Sequence, residues 1–383
     1  MISYGRQSID ECDIKAVVDC LRSDFLTQGP QVPKFEQTLA SLVGAEHAIA
    51  ANSGTSAIHL ACLALDVGPG DHVWTSPITF VASANAPLYC GATVDFVDID
   101  PNTNNLCTTA LRKKLKSASK VNALPKVVIP VHLAGHSCDM AEIQNLAQEF
   151  GFSVIEDAAH ALGSSYGGHP IGSCKYSDIT IFSFHPVKTI TTGEGGAATT
   201  NDEALAKKMG QLRSHGVTRD FTSFISEDTP VWGYEQHTLG FNYRLSDLAA
   251  SLGTTQLSKL NDFIQKRRSL AESYFNLLGK SHLELPDPKY LTSSAWHLFI
   301  VSVPGCRNSR DEIFETMRNR HVGVNLHYPP VHLQPFYRER GFNPGDFPVA
   351  EAYAQRAITL PLHPGLHQRD VCHVASVLLE LTL

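Results

Sequence analysis

Between His47 and Ala158 short apolar runs alternate with longer periodic segments, and this alternation limits the possible folds more than any other feature of the chain. "HAIAAN", "DHVWTS", "TVDFVDID", "KVVIPVHLAG" and "FSVIEDA" read as strands, while "TSAIHLACLALDV", "TFVASANAPLYC" and "DMAEIQNLAQEFG" read as helices among them. Strands that alternate with helices form βαβ units, whose crossovers make the strands parallel and cover both faces of the sheet. Two further apolar runs, "SDITIFSF" and "GGAATTN", leave little room for a helix between them. At least one strand there is therefore expected to run in a different direction.

Two helices, "IDECDIKAVVDCLRS" and "QVPKFEQTLASLVG", are expected ahead of this region, separated by "DFLTQGP". Behind it, residues 245–278 read as one long helical stretch and "LPDPKYLTSS" as loop. "AWHLFIVSV", "RDEIFETMRNRHVGVN", "AEAYAQRAITLPL" and "RDVCHVASVLLELT" suggest a small α+β domain. The expectation is an α/β chain with a large domain over residues 1–250 and a small C-terminal domain over 251–383. With 383 residues, 43% of them hydrophobic, there is enough apolar surface for two cores.

A formal net charge of -7 points away from nucleic acid and anionic membranes as partners. No run approaches the roughly 20 apolar residues that span a bilayer, and "MISYGRQSIDECDI" lacks a basic segment followed by an apolar one. Nine cysteines without a C-x-x-C pair fit neither a disulfide framework nor a zinc ribbon. Reduced thiols in a soluble, cytoplasmic protein are expected.

In an open α/β sheet, ligands bind beyond the carboxyl ends of the strands, and three features fall there. "NSGTSAIHL" passes from a strand into a helix at Gly54-Thr55-Ser56, where free N–H groups and hydroxyls suit a phosphate; the same residues suit an ordinary helix cap. "VIEDAAH" ends a strand in Glu156-Asp157, with His160 three residues on. A carboxylate there can hold a protonated ring nitrogen or cap a turn. "FHPVKTITTGEGG" places Lys188 just beyond an apolar run. Most lysines are solvated, but one partly shielded from water can add to an aldehyde as a Schiff base. Phosphate seat, carboxylate and amine together are what pyridoxal 5′-phosphate requires of a protein.

Other chemistries fit less well. "TTGEGG" does not match the P-loop pattern, and no G-x-G-x-x-G opens the first βα turn. "HYPPVH" and "HQRDVCH" match no common metal-ligand spacing, so no metal is expected.

Together, "SGTSA", "TSPITFVASANA", "EDAAHALGS", "FSFHPVKTITTGEGGA", "RSHG" and "GFNYRLSD" resemble the DegT/DnrJ/EryC1/StrS family of sugar aminotransferases, from Tyr4 to about His363. "LTQG", "SFHPVKTITTGEGGA" and "LHYPPVH" are closest to its pseudaminic acid branch. The resemblance implies a fold-type I architecture, a homodimer, and ping-pong transfer of an amino group from glutamate to C4 of a UDP-linked 4-keto-6-deoxy-N-acetylhexosamine. The runner-up substrate is another UDP- or dTDP-linked keto sugar. A pyridoxamine-dependent dehydratase would carry histidine in place of Lys188, and the complete set of site residues argues against a regulator without turnover.

The same resemblance assigns roles. Lys188 would carry the cofactor aldehyde and shuttle the proton, Asp157 would pair with the pyridine nitrogen, and Phe80 would stack on the ring. His160 stands near the phenolic oxygen, where many relatives have glutamine. Thr55, Ser56 and Ser183 would hold the phosphate beside Gly54, with Asn242 supplied by the partner subunit. For the nucleotide sugar the similar positions are Tyr4, Asp24, Phe25, Leu26, Thr27, Gly54, Ser183, Asn242, Asn325, Leu326, His327 and Tyr328.

Overall fold

The computed structural model describes residues 1–226, 230, 232–306 and 308–382. Two amphipathic helices open the chain, α1 (Glu11–Leu21) and α2 (Gln31–Val43). Asp10 caps α1 by accepting from the N–H groups of Cys12 and Asp13, while α2 ends at Gly44 in the left-handed conformation that glycine tolerates.

The seven strands of the main sheet are β1 (His47–Ala51), β2 (His72–Thr75), β3 (Thr93–Phe96), β4 (Val127–Ile129), β5 (Ser153–Asp157), β6 (Ile179–Ser183) and β7 (Gly196–Thr200). Their spatial order is β1-β7-β6-β5-β4-β2-β3. Strands β3, β2, β4, β5 and β6 pair in parallel, and β7 runs antiparallel to both its neighbours, β6 and β1. The change of direction expected between residues 177 and 201 is therefore β7. The segment 184–195 contains no crossover helix, so the chain reverses at the carboxyl end of β6.

Helices α3 (Gly54–Ala64), α4 (Ala82–Tyr89), α5 (Thr108–Ser119), α6 (Met140–Phe150) and α7 (Glu203–Leu212) pack on the sheet. Side-chain alternation along β6 sends Ile179 and Ile181 into a core with Ile58 and Leu60 of α3, while Phe182 joins a second core with Phe35 and Leu39 of α2. Helices α5 and α7 lie in stretches where no element was expected. In "TTALRKKLKSAS" only Leu111, Leu115 and Ala118 are buried, so its apolar stripe is narrow.

The stretch 245–278 is two helices, α8 (Asp247–Ser258) and α9 (Leu260–Leu278), which corrects the expectation of one. The break falls at Lys259, whose ammonium is held by the carboxylates of Asp10 and Asp13 on α1. Beyond it, β8 (Phe299–Ser302) pairs antiparallel with β9 (Ala357–Leu360), flanked by α10 (Arg310–Asn319), α11 (Pro348–Arg356) and α12 (Gln368–Thr382). Their core gathers Tyr274, Trp296, Phe299, Met317, Ile358 and Leu378. Helix α9 serves both bodies, with Leu260 and Phe263 in a sheet-side core and Leu270 and Tyr274 in the small one. Residue 250, the expected division between the two domains, lies inside α8. Among the described residues no helix is long and apolar enough to cross a membrane.

Candidate active site

Helix α3 begins where β1 ends, and Ser53 caps it. Its Oγ accepts from the N–H of Ser56 at 3.1 Å and pairs with the Ser56 hydroxyl at 2.9 Å. The N–H groups of Gly54 and Thr55 stay outside the intrahelical pattern at the positive end of the helix dipole. Strand β7 passes so close that a Cβ on Gly196 would meet Gly54 N at 2.5 Å, so glycine at 196 is what lets the reversed strand lie against this turn. Ser53, Gly54, Thr55 and Ser183 all line one cavity of about 410 Å³. Ser56 does not line it: the side chain is buried and engaged with Ser53, which does.

Asp157 ends β5 and faces the same cavity. Its Oδ2 accepts from Ser83 Oγ at 2.5 Å and its Oδ1 from the N–H of Ala159 at 3.1 Å; Thr79 Oγ1 pairs with Ser83 at 2.9 Å. Strand alternation sends the neighbouring Glu156 to the opposite side, where it accepts from His132 Nε2 at 2.7 Å and Ser177 Oγ at 2.5 Å. Of two adjacent acids, only Asp157 is positioned to meet a ligand.

Lys188 lies in the reversal between β6 and β7, and its N–H donates to His185 O at 2.9 Å. Burial pushes its ammonium down to about 8, against the opposing pull of the Asp157 carboxylate. A neutral, nucleophilic amine is thus accessible near physiological pH. That is the chemical consequence of putting a lysine at the mouth of a sheet.

His160 is buried beside the amine. Burial, with Lys188 and His327 nearby, holds its ring well below the usual histidine range. Its Nδ1 accepts from the N–H of Ala134 at 3.3 Å, and its Nε2 lies 2.9 Å from the hydroxyl of Tyr328. The ring of His297 stands 4.4 Å from that of His160 and is likewise held neutral by burial. Tyr4, Asn325, His327 and Tyr328 line the cavity, and Phe80 lies at its edge, 59% exposed and 6.3 Å from the Tyr328 ring.

The remaining candidate residues do not line this cavity within one chain. Leu326 packs against a core that contains Ile78 and Tyr353. Asp24, Phe25, Leu26 and Thr27 are exposed and do not line the cavity of their own chain; Thr27 is bridged to Ser246, and Leu26 O accepts from Asp247 N. Asn242 is also exposed and outside it, bridged to Ser214. Conversely, Ser53, Ser83, His297 and Glu194 belong to the site or its support and were not singled out from sequence. Ser83 follows Thr79 by four residues, a helical spacing that was available as a signal; His297, inside the apolar "AWHLF", offered none. A larger cleft of about 570 Å³, between residues 101–104 and β8, contains none of the amine, carboxylate and helix terminus just described.

The profile of the DegT/DnrJ/EryC1/StrS aminotransferase family matches residues 7–379. The chain belongs to this family. It is 37% identical to the UDP-4-amino-4,6-dideoxy-N-acetyl-beta-L-altrosamine transaminase of Campylobacter jejuni, over 100% of this chain and 97% of that protein. It is also 37% identical to the spore coat polysaccharide biosynthesis protein SpsC of Bacillus subtilis, over 99% and 97%. Among solved structures, PseC of Helicobacter pylori, an aminotransferase involved in the biosynthesis of pseudoaminic acid, superposes with a TM-score of 0.90 at 31% identity, covering 100% of this chain and 99% of that one. The sugar aminotransferase Spr1654 of Streptococcus pneumoniae, in its pyridoxal phosphate form, gives 0.88 at 30% identity, covering 100% and 98%. The fold is the α/β fold-type I aminotransferase fold, and the chain is a pyridoxal-phosphate-dependent sugar aminotransferase.

The residues present fit the cofactor. A helix N-terminus with three hydroxyls offers donors to a phosphate, a buried carboxylate with polar support offers a partner to a pyridinium, and an amine of lowered pKa faces both.

Proposed function

We propose that this enzyme transfers the amino group of glutamate to C4 of a UDP-linked 4-keto-6-deoxy-N-acetylhexosamine, giving UDP-4-amino-4,6-dideoxy-N-acetyl-β-L-altrosamine for pseudaminic acid. The observation that carries the chemistry is Lys188, Asp157 and the start of α3 facing one cavity. Support for the sugar is the full-length similarity to the Campylobacter transaminase and to PseC. The equal identity to SpsC favours keeping a C4 aminotransferase for another UDP- or dTDP-linked keto sugar as the second reading.

When bound, pyridoxal phosphate supplies an electron sink that stabilises negative charge on the carbon losing its proton. The chain does the rest. Gly54, Thr55, Ser53 and Ser183 would hold the phosphate, and Asp157 would keep a ring nitrogen protonated, its two oxygens fixed by Ser83 and Ala159. Lys188 would hold the group and, once freed by the amino donor, take a proton from the donor carbon as general base at Nζ. Its lowered pKa leaves it neutral for an appreciable fraction of the time near neutral pH.

We further propose a homodimer in which the partner's Asn242 completes the phosphate site and residues 24–27 approach the nucleotide sugar. In one chain these groups are exposed and do not line the cavity. A two-residue antiparallel ladder joins Val217–Thr218 to Glu235–Gln236; Ile225 (81% exposed) and Trp232 (80%) lie within the loop it closes, and Leu239 (80%) lies just beyond it. Large apolar side chains held in water mark an association surface. A cytoplasmic location fits a reaction on a nucleotide sugar.

The test is glutamate-dependent amination of a panel of UDP- and dTDP-keto sugars, read by mass spectrometry, with NMR for the configuration at the new C–N bond. The altrosamine product is expected. Another configuration, or preference for a dTDP sugar, selects the second reading.

A further inference from the structure

The neutral state of His160 fixes the direction of a hydrogen-bond chain. A neutral imidazole carries one N–H. Its Nδ1 accepts the N–H of Ala134, so the proton sits on Nε2 and points at Tyr328 Oη, 2.9 Å away. The phenol oxygen is therefore the acceptor in that bond, and its own proton remains to be given elsewhere. Burial, with Asp157, Tyr4 and Tyr353 nearby, holds the Tyr328 hydroxyl above the usual tyrosine range, so the proton stays in place. Tyr328 lines the cavity together with Lys188 and Asp157.

We propose that Tyr328, rather than His160, donates the hydrogen bond to the phenolic oxygen of the bound cofactor, with His160 as the positioning residue that orients its hydroxyl. This rests on the cofactor-binding reading above and revises the residue expected at that oxygen. Ala134 can present its N–H because residue 134 adopts a left-handed conformation, φ 62°, in the turn after β4. The relay thus runs from that turn through His160 to Tyr328. Its direction matters: a phenol that donates into the site stabilises a phenolate there, whereas one that accepts would destabilise it.

The titratable side chains around the relay are Asp157, Lys188, His297, His327, Tyr4 and Tyr353. All six are kept in the test below except where a substitution is named. The holoenzyme, reconstituted with pyridoxal phosphate, is titrated by the absorbance of the bound cofactor across pH. Without a donor the phenolate becomes more basic and holds the shared proton more tightly. Tyr328→Phe is therefore expected to raise the titration midpoint by about one pH unit, a tenfold change in proton affinity. His160→Leu should raise it by less, because accepting from His160 strengthens the donation by Tyr328 without creating it. The double variant should shift no further than Tyr328→Phe alone, the non-additivity expected of groups acting in series.

An unmoved midpoint in Tyr328→Phe overturns the proposal, as does a double variant whose shift is the sum of the two. A shift in His160→Leu alone returns the contact to His160. Should the wild-type protein bind no cofactor at all, what fails is the cofactor reading beneath the proposal, and the wild-type spectrum shows this before any variant is made.

Discussion

At the floor of the cavity, groups from five separate segments are brought together within one chain. Asp157 comes from the end of β5, Ser183 from β6, Gly54 from the start of α3, Ser83 from α4 and Lys188 from the reversal before β7. Asp24–Thr27 and Asn242, the groups we assign to the cavity's rim, are held to their own chain by bridges at Thr27 and Asn242, yet all are exposed. The floor is a property of the sheet: strand ends are adjacent because strands are paired, and paired strands cannot drift. The rim has no such constraint and is completed, on our reading, by a second copy. Point changes at the floor should therefore remove chemistry and leave assembly intact, while changes at the rim should act through assembly.

The largest effect belongs to Lys188→Ala. A positioned acid–base group contributes roughly 10²–10⁴-fold, and this amine also anchors the cofactor, so turnover should fall by about 10⁴-fold or more with the fold unchanged. Borohydride should fix the cofactor to the wild-type chain and not to the variant. Turnover of glutamate at the wild-type rate by Lys188→Ala would remove the floor from the mechanism. Asp157→Asn comes next: losing the carboxylate charge weakens protonation of the ring nitrogen by about two pKa units, roughly 10²-fold in rate, with cofactor still bound.

Trp232→Asp tests the other side of the comparison. A charge on an 80% exposed apolar residue should shift the protein toward monomer in sedimentation at low concentration and lower activity about tenfold or more, with the single-chain fold kept. Dimers that persist at wild-type strength would place the interface elsewhere.

The same contrast explains what could be read from residues. The parallel strands and the sites at their ends follow from local alternation of apolar runs, so "VIEDAAH" and "FHPVKTITTGEGG" could be placed before any coordinates. Even the reversed β7 was implied, by the lack of room for a helix before "GGAATTN". Ser53 and Ser56 are equally good caps by residue type, and only the helix register decides which hydroxyl faces the cavity. His297 reaches His160 across more than 130 residues of intervening chain through packing of the two bodies, a relation that periodicity does not carry. The break at Lys259 coincides with ion pairs to Asp10 and Asp13 at the start of α1, again a tertiary contact that local pattern does not carry.

Burial of the amine makes a smaller prediction at the floor. On cofactor-free protein, the rate of aldehyde capture should follow the neutral fraction of Lys188. The folded value is depressed to about 8, so the rate should rise about tenfold per pH unit below that point and level off above it. A solvated lysine would keep gaining up to about pH 10.4. Capture followed by stopped flow between pH 6 and 10 distinguishes the two, and continued gain beyond pH 9 would mean that the floor is wetter than its geometry implies.

The smallest effect concerns how the two bodies are joined. Helix α11 starts after Phe347, which has no side-chain oxygen to cap it, and its first residue, Pro348, has no N–H to satisfy. The next two N–H groups, of Val349 and Ala350, donate to Asp98 at 3.0 Å each, across some 250 residues of chain. Asp98 thus does from beyond the end of β3 what a local cap does elsewhere, and its negative charge lies at the positive end of the helix dipole. Asp98→Ala should cost about 1–2 kcal/mol, read as a lower denaturant midpoint, with Asp98→Asn losing less because it keeps one acceptor. The consequence should reach residues 325–328 more than the sheet-borne groups of the floor. Helix α11 carries Tyr353, whose hydroxyl donates to His327 O at 2.6 Å, so loosening it frees the 325–328 segment. A raised KM for the nucleotide sugar with the dimer intact would show Asp98 acting through the 325–328 segment; an unchanged KM with a lower kcat would mean that the small body shapes the floor instead.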